Sequence, residues 1–74
     1  MRIISQSLMD IPYDQIIVEL DDDKIYAIPI SSSIGMRLLG KYGTEERAQE
    51  VFEQIHKCYK SLTTDSMVFI MPEE

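Results

Sequence analysis

His56 and Cys58 are the two residues of this chain whose types could do chemistry together, and they are its single histidine and single cysteine. Such residues can form a nucleophile–base pair or ligate a metal ion. Both lie in QIHKCY, residues 54–59, within a segment of helical periodicity. At about 100° per residue their side chains point roughly 200° apart, so they cannot meet. We therefore predict two residues at the rims of a helix interface, and neither a catalytic pair nor a metal site.

Other residues that could bind ions or phosphate match no known pattern. Residues 21–24, DDDK, carry three adjacent carboxylates but not the alternating ligands, glycine and distal glutamate of a calcium loop. Gly40 and Gly43 precede a helical segment, yet they fit neither the Walker A nor the dinucleotide-binding pattern. No serine has a histidine and an acid at the spacing of a hydrolase triad. We expect no enzymatic activity, no cofactor and no metal.

Length and charge limit the function further. With 74 residues the chain is predicted to form one small domain, residues 1–74. A net charge of −6 argues against direct binding to nucleic acid or an anionic membrane, and it permits a basic protein partner. A single cysteine cannot close a disulfide within the chain, and no apolar run is long enough for a signal peptide or membrane span. We therefore expect a cytoplasmic protein.

The clearest secondary-structure signal is a helix over about residues 44–62. Thr44 is the predicted N-cap, and acids fill the first turn, where the helix dipole favours them. An apolar stripe at helical spacing comprises Ala48, Val51, Phe52, Ile55, Tyr59 and Leu62. We expect this stripe, with Phe52, Ile55 and Tyr59 in particular, to face a sheet.

Alternating apolar residues predict the strands. QIIVEL and KIYAIPIS flank the DDDK turn and predict a β-hairpin. RIIS at the start and residues 67–71 near the end predict two more strands, whereas LMDIPYD reads as an irregular link. MRLLGKY predicts another strand, which follows the hairpin in the chain. A short helix is the competing interpretation of this segment. Together these elements predict an α+β domain: an antiparallel sheet of four or five strands, one amphipathic helix packed on one face, and a C-terminal strand.

A single helix can cover only one face of such a sheet. We expect Ile17, Ile25, Val68 and Ile70 on the other face. An apolar patch of that size is typical of an interface. The sequence therefore predicts a non-enzymatic protein–protein interaction module, which forms a homodimer or binds a partner protein.

The excess of acids suggests an alternative function. Glu19, Asp21, Asp22, Asp23, Glu73 and Glu74 would form one acidic patch if the C-terminal tail returned to the hairpin tip. Such a patch could imitate nucleic-acid phosphates and block a host defence nuclease, as anti-restriction and anti-CRISPR proteins do. Lys57 and Lys60 lie among the acids of the helix and weaken this interpretation.

Three stretches carry a resemblance to a known group of proteins. MRIISQ, DIPYDQIIVE and YGTEERAQEVFEQIHKCY resemble small proteins of phages, prophages and integrated mobile elements in low-GC Gram-positive bacteria. That group often has a glycine after the Ser-Gln pair, where this chain has Ser7 and Leu8, so the first turn is expected to differ. The resemblance implies no enzymatic activity and no site residues. It implies a setting among the accessory genes of mobile elements.

The double replacement His56→Gln, Cys58→Ser tests the absence of chemistry at QIHKCY. We expect the variant to keep its helical circular dichroism and any protein partner, because neither side chain is predicted to bind or react. Elemental analysis of both proteins provides the check. A stoichiometric metal in the parent that is lost from the variant would contradict the prediction.

Overall fold

The chain folds into six strands and one helix within the residues that the computed structural model describes, which are 1–30, 35–61 and 68–74. The elements are β1 (Arg2–Ile4), β2 (Asp10–Pro12), a 3₁₀ turn (Tyr13–Gln15), β3 (Ile16–Asp21), β4 (Lys24–Pro29), β5 (Arg37–Lys41), α1 (Glu45–Lys60) and β6 (Val68–Ile70). The strands form two three-stranded sheets, a first sheet ordered β2-β1-β6 and a second sheet ordered β3-β4-β5. The α+β class is therefore confirmed. The prediction of one antiparallel sheet of four or five strands is wrong.

The first sheet contains two features that the sequence did not predict. The segment read as an irregular link holds β2, which pairs antiparallel with β1 and places Ile11 opposite Ile3. The predicted C-terminal strand is present, but it pairs parallel with β1. Pro12 ends β2 at the edge of the sheet, where a missing N–H removes no hydrogen bond to a further strand. A short strand with proline is therefore compatible with this edge position.

The hairpin of the second sheet is confirmed. Asp21 pairs with Lys24 across a two-residue loop, and Asp22 takes a positive φ of 54°, which aspartate tolerates better than most residues. Pro29 is the last residue of β4. Pairing with β5 ends earlier, at Ala27 opposite Arg37, so the proline lies beyond the reach of that ladder.

A β-bulge decides which side chains of β5 face inward. MRLLGKY forms the predicted strand, but the pairing with β4 shifts between Ile25 and Tyr26. Gly40 lies opposite Ile25 and Leu38 lies opposite Tyr26, so Leu39 is the extra residue. Leu39 is fully buried together with Ile25, while Leu38 is exposed. The bulge thus interrupts the simple alternation of this strand.

The helix begins where the sequence predicted. The Thr44 hydroxyl accepts a hydrogen bond from the Arg47 N–H at 3.1 Å, which confirms Thr44 as the N-cap. After Lys60, the Ser61 hydroxyl donates to the Lys57 carbonyl at 2.9 Å. The last turn is therefore closed by a side chain that satisfies an otherwise unpaired backbone group.

The buried side of the helix is rotated from the predicted one. Ala48, Val51 and Ile55 are fully buried, whereas Phe52 is only half-buried and Tyr59 is 48% exposed. Phe52 packs against the core, as expected, whereas the expectation that Tyr59 faces the sheet is wrong, and Leu62 lies outside the described residues. The Tyr59 ring lies beside that of Tyr13, with centroids 4.7 Å apart.

The core joins both sheets and the helix. Its buried members are Met1, Ile3, Ile25, Ala27, Leu39, Tyr42, Ala48, Val51, Ile55 and Met71. These residues come from both sheets and from the helix, so each sheet buries its inner face against the other elements. A chain this short exposes much of its surface, and a core drawn from all elements uses its few apolar residues together.

Leu8 holds the turn between β1 and β2 in a strained conformation. Its φ is 68°, a left-handed conformation that costs a residue with a side chain about 1–2 kcal/mol. The turn is supported by Ser5, whose hydroxyl accepts from the Met9 N–H at 3.0 Å and whose backbone N–H donates to the Met9 carbonyl at 2.9 Å. A glycine at position 8 would adopt this conformation without strain.

Replacing Ile55 with alanine tests the position of the core. We expect a loss of about 2–5 kcal/mol of unfolding free energy, because the side chain is fully buried between α1 and the second sheet. The matched control is Gln54→Ala, an exposed neighbour that should change stability by less than about 0.5 kcal/mol. Urea unfolding followed by circular dichroism measures both. Equal stabilities of the two variants would place Ile55 outside the core.

Candidate protein-interaction surface

The second sheet has one face against the helix and one face turned away from it, here called the outer face. Side chains alternate along each strand, so the pairing assigns the outer face directly. Its members are Ile17, Glu19 and Asp21 on β3, Lys24, Tyr26 and Ile28 on β4, and Leu38 and Lys41 on β5. Met36, the residue before β5, is outside this pairing. No helix of the described residues covers it.

One end of the outer face is apolar. Ile17 pairs with Ile28, and Tyr26 pairs with Leu38, so these four side chains form a contiguous group. Ile17 is 56% exposed and Leu38 is 43% exposed. Met36 is exposed beside them. Tyrosine and methionine among exposed aliphatic residues are the composition of a protein-binding surface rather than of a solvated sheet.

The other end of the outer face is charged and ordered across the strands. Asp21 on β3, Lys24 on β4 and Lys41 on β5 lie in one row. The Lys24 ammonium lies 3.0 Å from the Asp23 carboxylate. This hydrogen bond is the main cause of a lowered pKa at Asp23 and a raised pKa at Lys24. In the described residues, neither Asp21 nor Lys41 has an ion pair within 4 Å.

A groove continues the apolar end past the edge of β5. It has a volume of about 470 Å³ and is lined by Gln6, Ser7, Met9, Met36, Arg37, Leu38, Leu39 and Gly40. Leu38 belongs to both the groove and the outer face, and the exposed Met36 lines the groove. The exposed apolar surface therefore extends from β3 across the second sheet to the turn that follows β1.

The residues predicted for one interface do not share a surface. Ile17 is on the outer face, as expected, but Ile25 has no exposed surface and lies in the core. Val68 and Ile70 are 49% and 69% exposed, yet they belong to the first sheet, opposite Arg2 and Ile4. Placing these four residues together was wrong because the chain forms two sheets. The exposure of three of them is as expected.

The missed residues were within reach of the hairpin register. A two-residue loop that closes with Asp21 opposite Lys24 necessarily places Ile17 opposite Ile28 and Leu20 opposite Ile25. Counting pairs from the loop would have assigned Ile25 to the inner face and Ile28 to the outer face. Leu38 was not accessible in this way, because its orientation depends on the bulge.

The acidic residues gather near Tyr42, but with bases among them. The Tyr42 N–H donates to the Asp23 carbonyl, and its hydroxyl donates to the Pro72 carbonyl, each at 2.9 Å. The tail therefore reaches the side of the molecule that carries the hairpin tip. The backbone carbonyl of Glu74 accepts from Arg47 at 3.0 Å. Of the predicted patch, Glu19 lies on the outer face, Asp21, Asp22 and Asp23 surround the tip, and Glu73 and Glu74 lie in the tail.

Gln6 fixes the edge of β5 that borders this surface. Its backbone N–H donates to the Leu39 carbonyl at 2.8 Å, and its side-chain oxygen accepts from the Lys41 N–H at 2.8 Å. Its amide nitrogen donates to the carbonyls of Pro72 at 2.8 Å and Glu73 at 3.0 Å. These contacts, with the Tyr42 hydroxyl bond to Pro72, are called the Gln6 junction. They hold β5 between the end of β1 and the tail.

Tyr42 is the buried phenol of the Gln6 junction. Burial raises its pKa, and the charge of Arg47 and a hydrogen bond with Gln6 act in the opposite direction. The folded protein therefore holds this proton more tightly than the unfolded chain does. Stability from this group is present below the unfolded pKa and is lost as pH rises through the folded pKa.

His56 and Cys58 have different surroundings. The His56 Nδ1 atom lies 2.9 Å from the Phe52 carbonyl oxygen, and the imidazole lies against the Phe52 ring with centroids 4.5 Å apart. Cys58 is half-buried and packs against the core. Among the residues of known position, no group of three or more His, Cys, Asp or Glu could hold a metal ion. The described part of the chain also has no helix that could span a membrane.

Comparisons with known proteins give no relative. No family model, no curated protein and no solved structure matches this chain. The geometry of the surface is therefore the basis on which a function can be proposed.

Gly40→Ala tests the Gln6 junction. A Cβ atom at this position would lie 2.8 Å from the Tyr42 hydroxyl oxygen and 3.1 Å from the Gln6 side-chain amide carbon. We expect a loss of about 1–3 kcal/mol, because both side chains must move and give up hydrogen bonds. Gly43→Ala is the control, since its Cβ atom would meet nothing within 4 Å. Equal urea midpoints for the two variants would contradict the role of the junction.

Proposed function

We propose that this protein is a non-enzymatic interaction module that binds another protein surface through the outer face of the second sheet. The observation that carries the proposal is an apolar group on a face that no described helix covers, in which Ile17 and Leu38 are exposed and Tyr26 and Ile28 are half-buried, with the exposed Met36 just before β5. Water in contact with that much apolar surface is unfavourable, and association removes it.

The charges at the border of the surface support the same function. Glu19 and Asp21 on one edge strand balance Lys24 and Lys41 on the other strands, so the outer face carries no net charge although the chain carries −6. Polar rims around an apolar centre are typical of protein–protein interfaces. A surface for nucleic acid would need an excess of bases, and direct binding of nucleic acid is therefore not proposed.

The acidic-mimic alternative rests on one observation, the shared contact of hairpin tip and tail with Tyr42. An anion mimic needs carboxylates without interleaved cations. Lys24, Lys41 and Arg47 lie in the same region, and Lys24 already neutralises Asp23. This arrangement favours the interaction module over the mimic of a nuclease substrate. A cytoplasmic setting in a mobile element is part of the proposal and suits either function.

Affinity capture with matched baits tests the proposed function. The test bait is Ile17→Lys, Leu38→Lys, which places two charges in the apolar centre while both positions remain solvent-accessible. The control bait is Glu46→Lys, Gln49→Lys, which changes exposed positions of α1 away from the second sheet. We expect the parent and control baits to retain a binding protein, or a second differently tagged copy, that the test bait loses by at least about tenfold.

Two outcomes would contradict the proposal. In one, all three baits retain the same proteins in the same amounts, which would assign binding to another surface. In the other, the control bait loses binding and the test bait keeps it, which would assign binding to α1. Circular dichroism of each bait verifies that the fold is intact.

A further inference from the structure

The outer face of the second sheet is complementary to itself. Along the strands its residues fall into three rows across β3, β4 and β5. The rows are Ile17 and Ile28 at one end, Glu19, Tyr26 and Leu38 in the middle, and Asp21, Lys24 and Lys41 at the other end. The first row is wholly apolar, and the third runs from an acid on one edge to a base on the other.

Only one face-to-face arrangement of two copies respects this order. A two-fold axis parallel to the strands places β4 on β4 and β3 on β5, and each row meets its own copy. Asp21 then meets Lys41 of the second copy, Ile28 on β4 meets Ile28 of the second copy, and the exposed Glu19 lies beside Leu38 of the second copy at the rim of the face. A two-fold axis across the strands would instead place the apolar row on the charged row, which would desolvate charges without pairing them.

Lys24, at the centre of the charged row, does not oppose this arrangement. Lys24 lies on the axis and meets Lys24 of the second copy, but each ammonium is already bound by Asp23 at 3.0 Å. Asp21 and Lys41, by contrast, have no ion pair within 4 Å in the described part of the chain. Both are exposed and can form a pair with the second copy without breaking one.

Resting on the proposed function, we infer that the partner of the outer face is a second copy of this chain, packed face to face about a two-fold axis parallel to the strands. The balance of acids and lysines on the outer face favours a second copy over a strongly basic or strongly acidic protein. Either of those would place like charges against half of the charged residues of the face. Such a symmetric interface uses the same residues on both sides, which is the usual form of a homodimer.

A standard interface buries about 800 Å² per partner, which is about a sixth of the 4994 Å² accessible surface of this chain. Buried area alone does not fix the affinity, so the dimer is sought over a wide range of micromolar concentrations.

Complementary charge reversals provide the experiment. Sedimentation equilibrium between about 10 and 500 µM is measured for the parent, for Asp21→Lys, for Lys41→Asp and for an equimolar mixture of the two variants. Each single variant creates two like-charge contacts in its own dimer and should weaken dimerisation by at least about tenfold. In the mixture, Lys at position 21 meets Asp at position 41, and the native Lys41 meets the native Asp21. The mixture should therefore restore dimers to near the parent level.

Rescue by mixing cannot come from a misfolded variant, so the test separates interface effects from stability. Two results would overturn the inference: a parent that stays monomeric at the highest concentration, or a dimer whose strength the charge reversals and their mixture leave unchanged. Neither result decides the proposed function, which is lost only if Ile17→Lys, Leu38→Lys also leaves every captured protein bound. If the parent stays monomeric and its outer face captures a different protein, the proposed interaction module stands and that protein is its partner.

Discussion

The side chain of Gln6 holds together three segments that are far apart in the sequence. It accepts a hydrogen bond from β5 and donates to the C-terminal tail, while the backbone N–H of Gln6 binds β5 two residues earlier. An amide side chain carries the same donor and acceptor groups as a peptide bond, so it can satisfy strand edges that would otherwise need another strand. The first sheet, the second sheet and the tail meet at this one residue.

The two-sheet arrangement follows from the contacts of Gln6 and from the small helical content of the chain. Seventy-four residues provide one helix in the described part of the chain, and its small buried side chains cover the inner face of the second sheet. The first sheet packs on the same core through Ile3 and Met71 rather than on a helix of its own. Because all described layers share one core, no helix or sheet among the described residues covers the outer face. The exposed apolar face therefore follows from the small number of secondary-structure elements.

The outer face combines that exposure with an ordered set of charges. Acids lie on β3 and lysines on β4 and β5, so the face is electrostatically balanced within a strongly acidic chain. Such a balance of charges contributes more to the specificity of binding than to its affinity. Like charges that meet in a wrong orientation cost more free energy than correctly paired charges gain. The strained Leu8 turn and the Gln6 junction hold the neighbouring groove in place beside the same face.

Local chemistry in the sequence determined the elements of this protein. Thr44 caps the helix because its hydroxyl accepts a hydrogen bond from the Arg47 N–H, and DDDK turns the hairpin because aspartate tolerates a left-handed conformation. Both are effects between residues close in the chain. Pairing between distant strands was decided by tertiary structure: the parallel contact of β6 with β1, the strand at Pro12 and the bulge at Leu39 depend on hydrogen bonds across the chain. Those contacts buried Ile25, separated Val68 and Ile70 from Ile17, and brought Leu38 to the surface, because a side chain's face is set by what its strand pairs with.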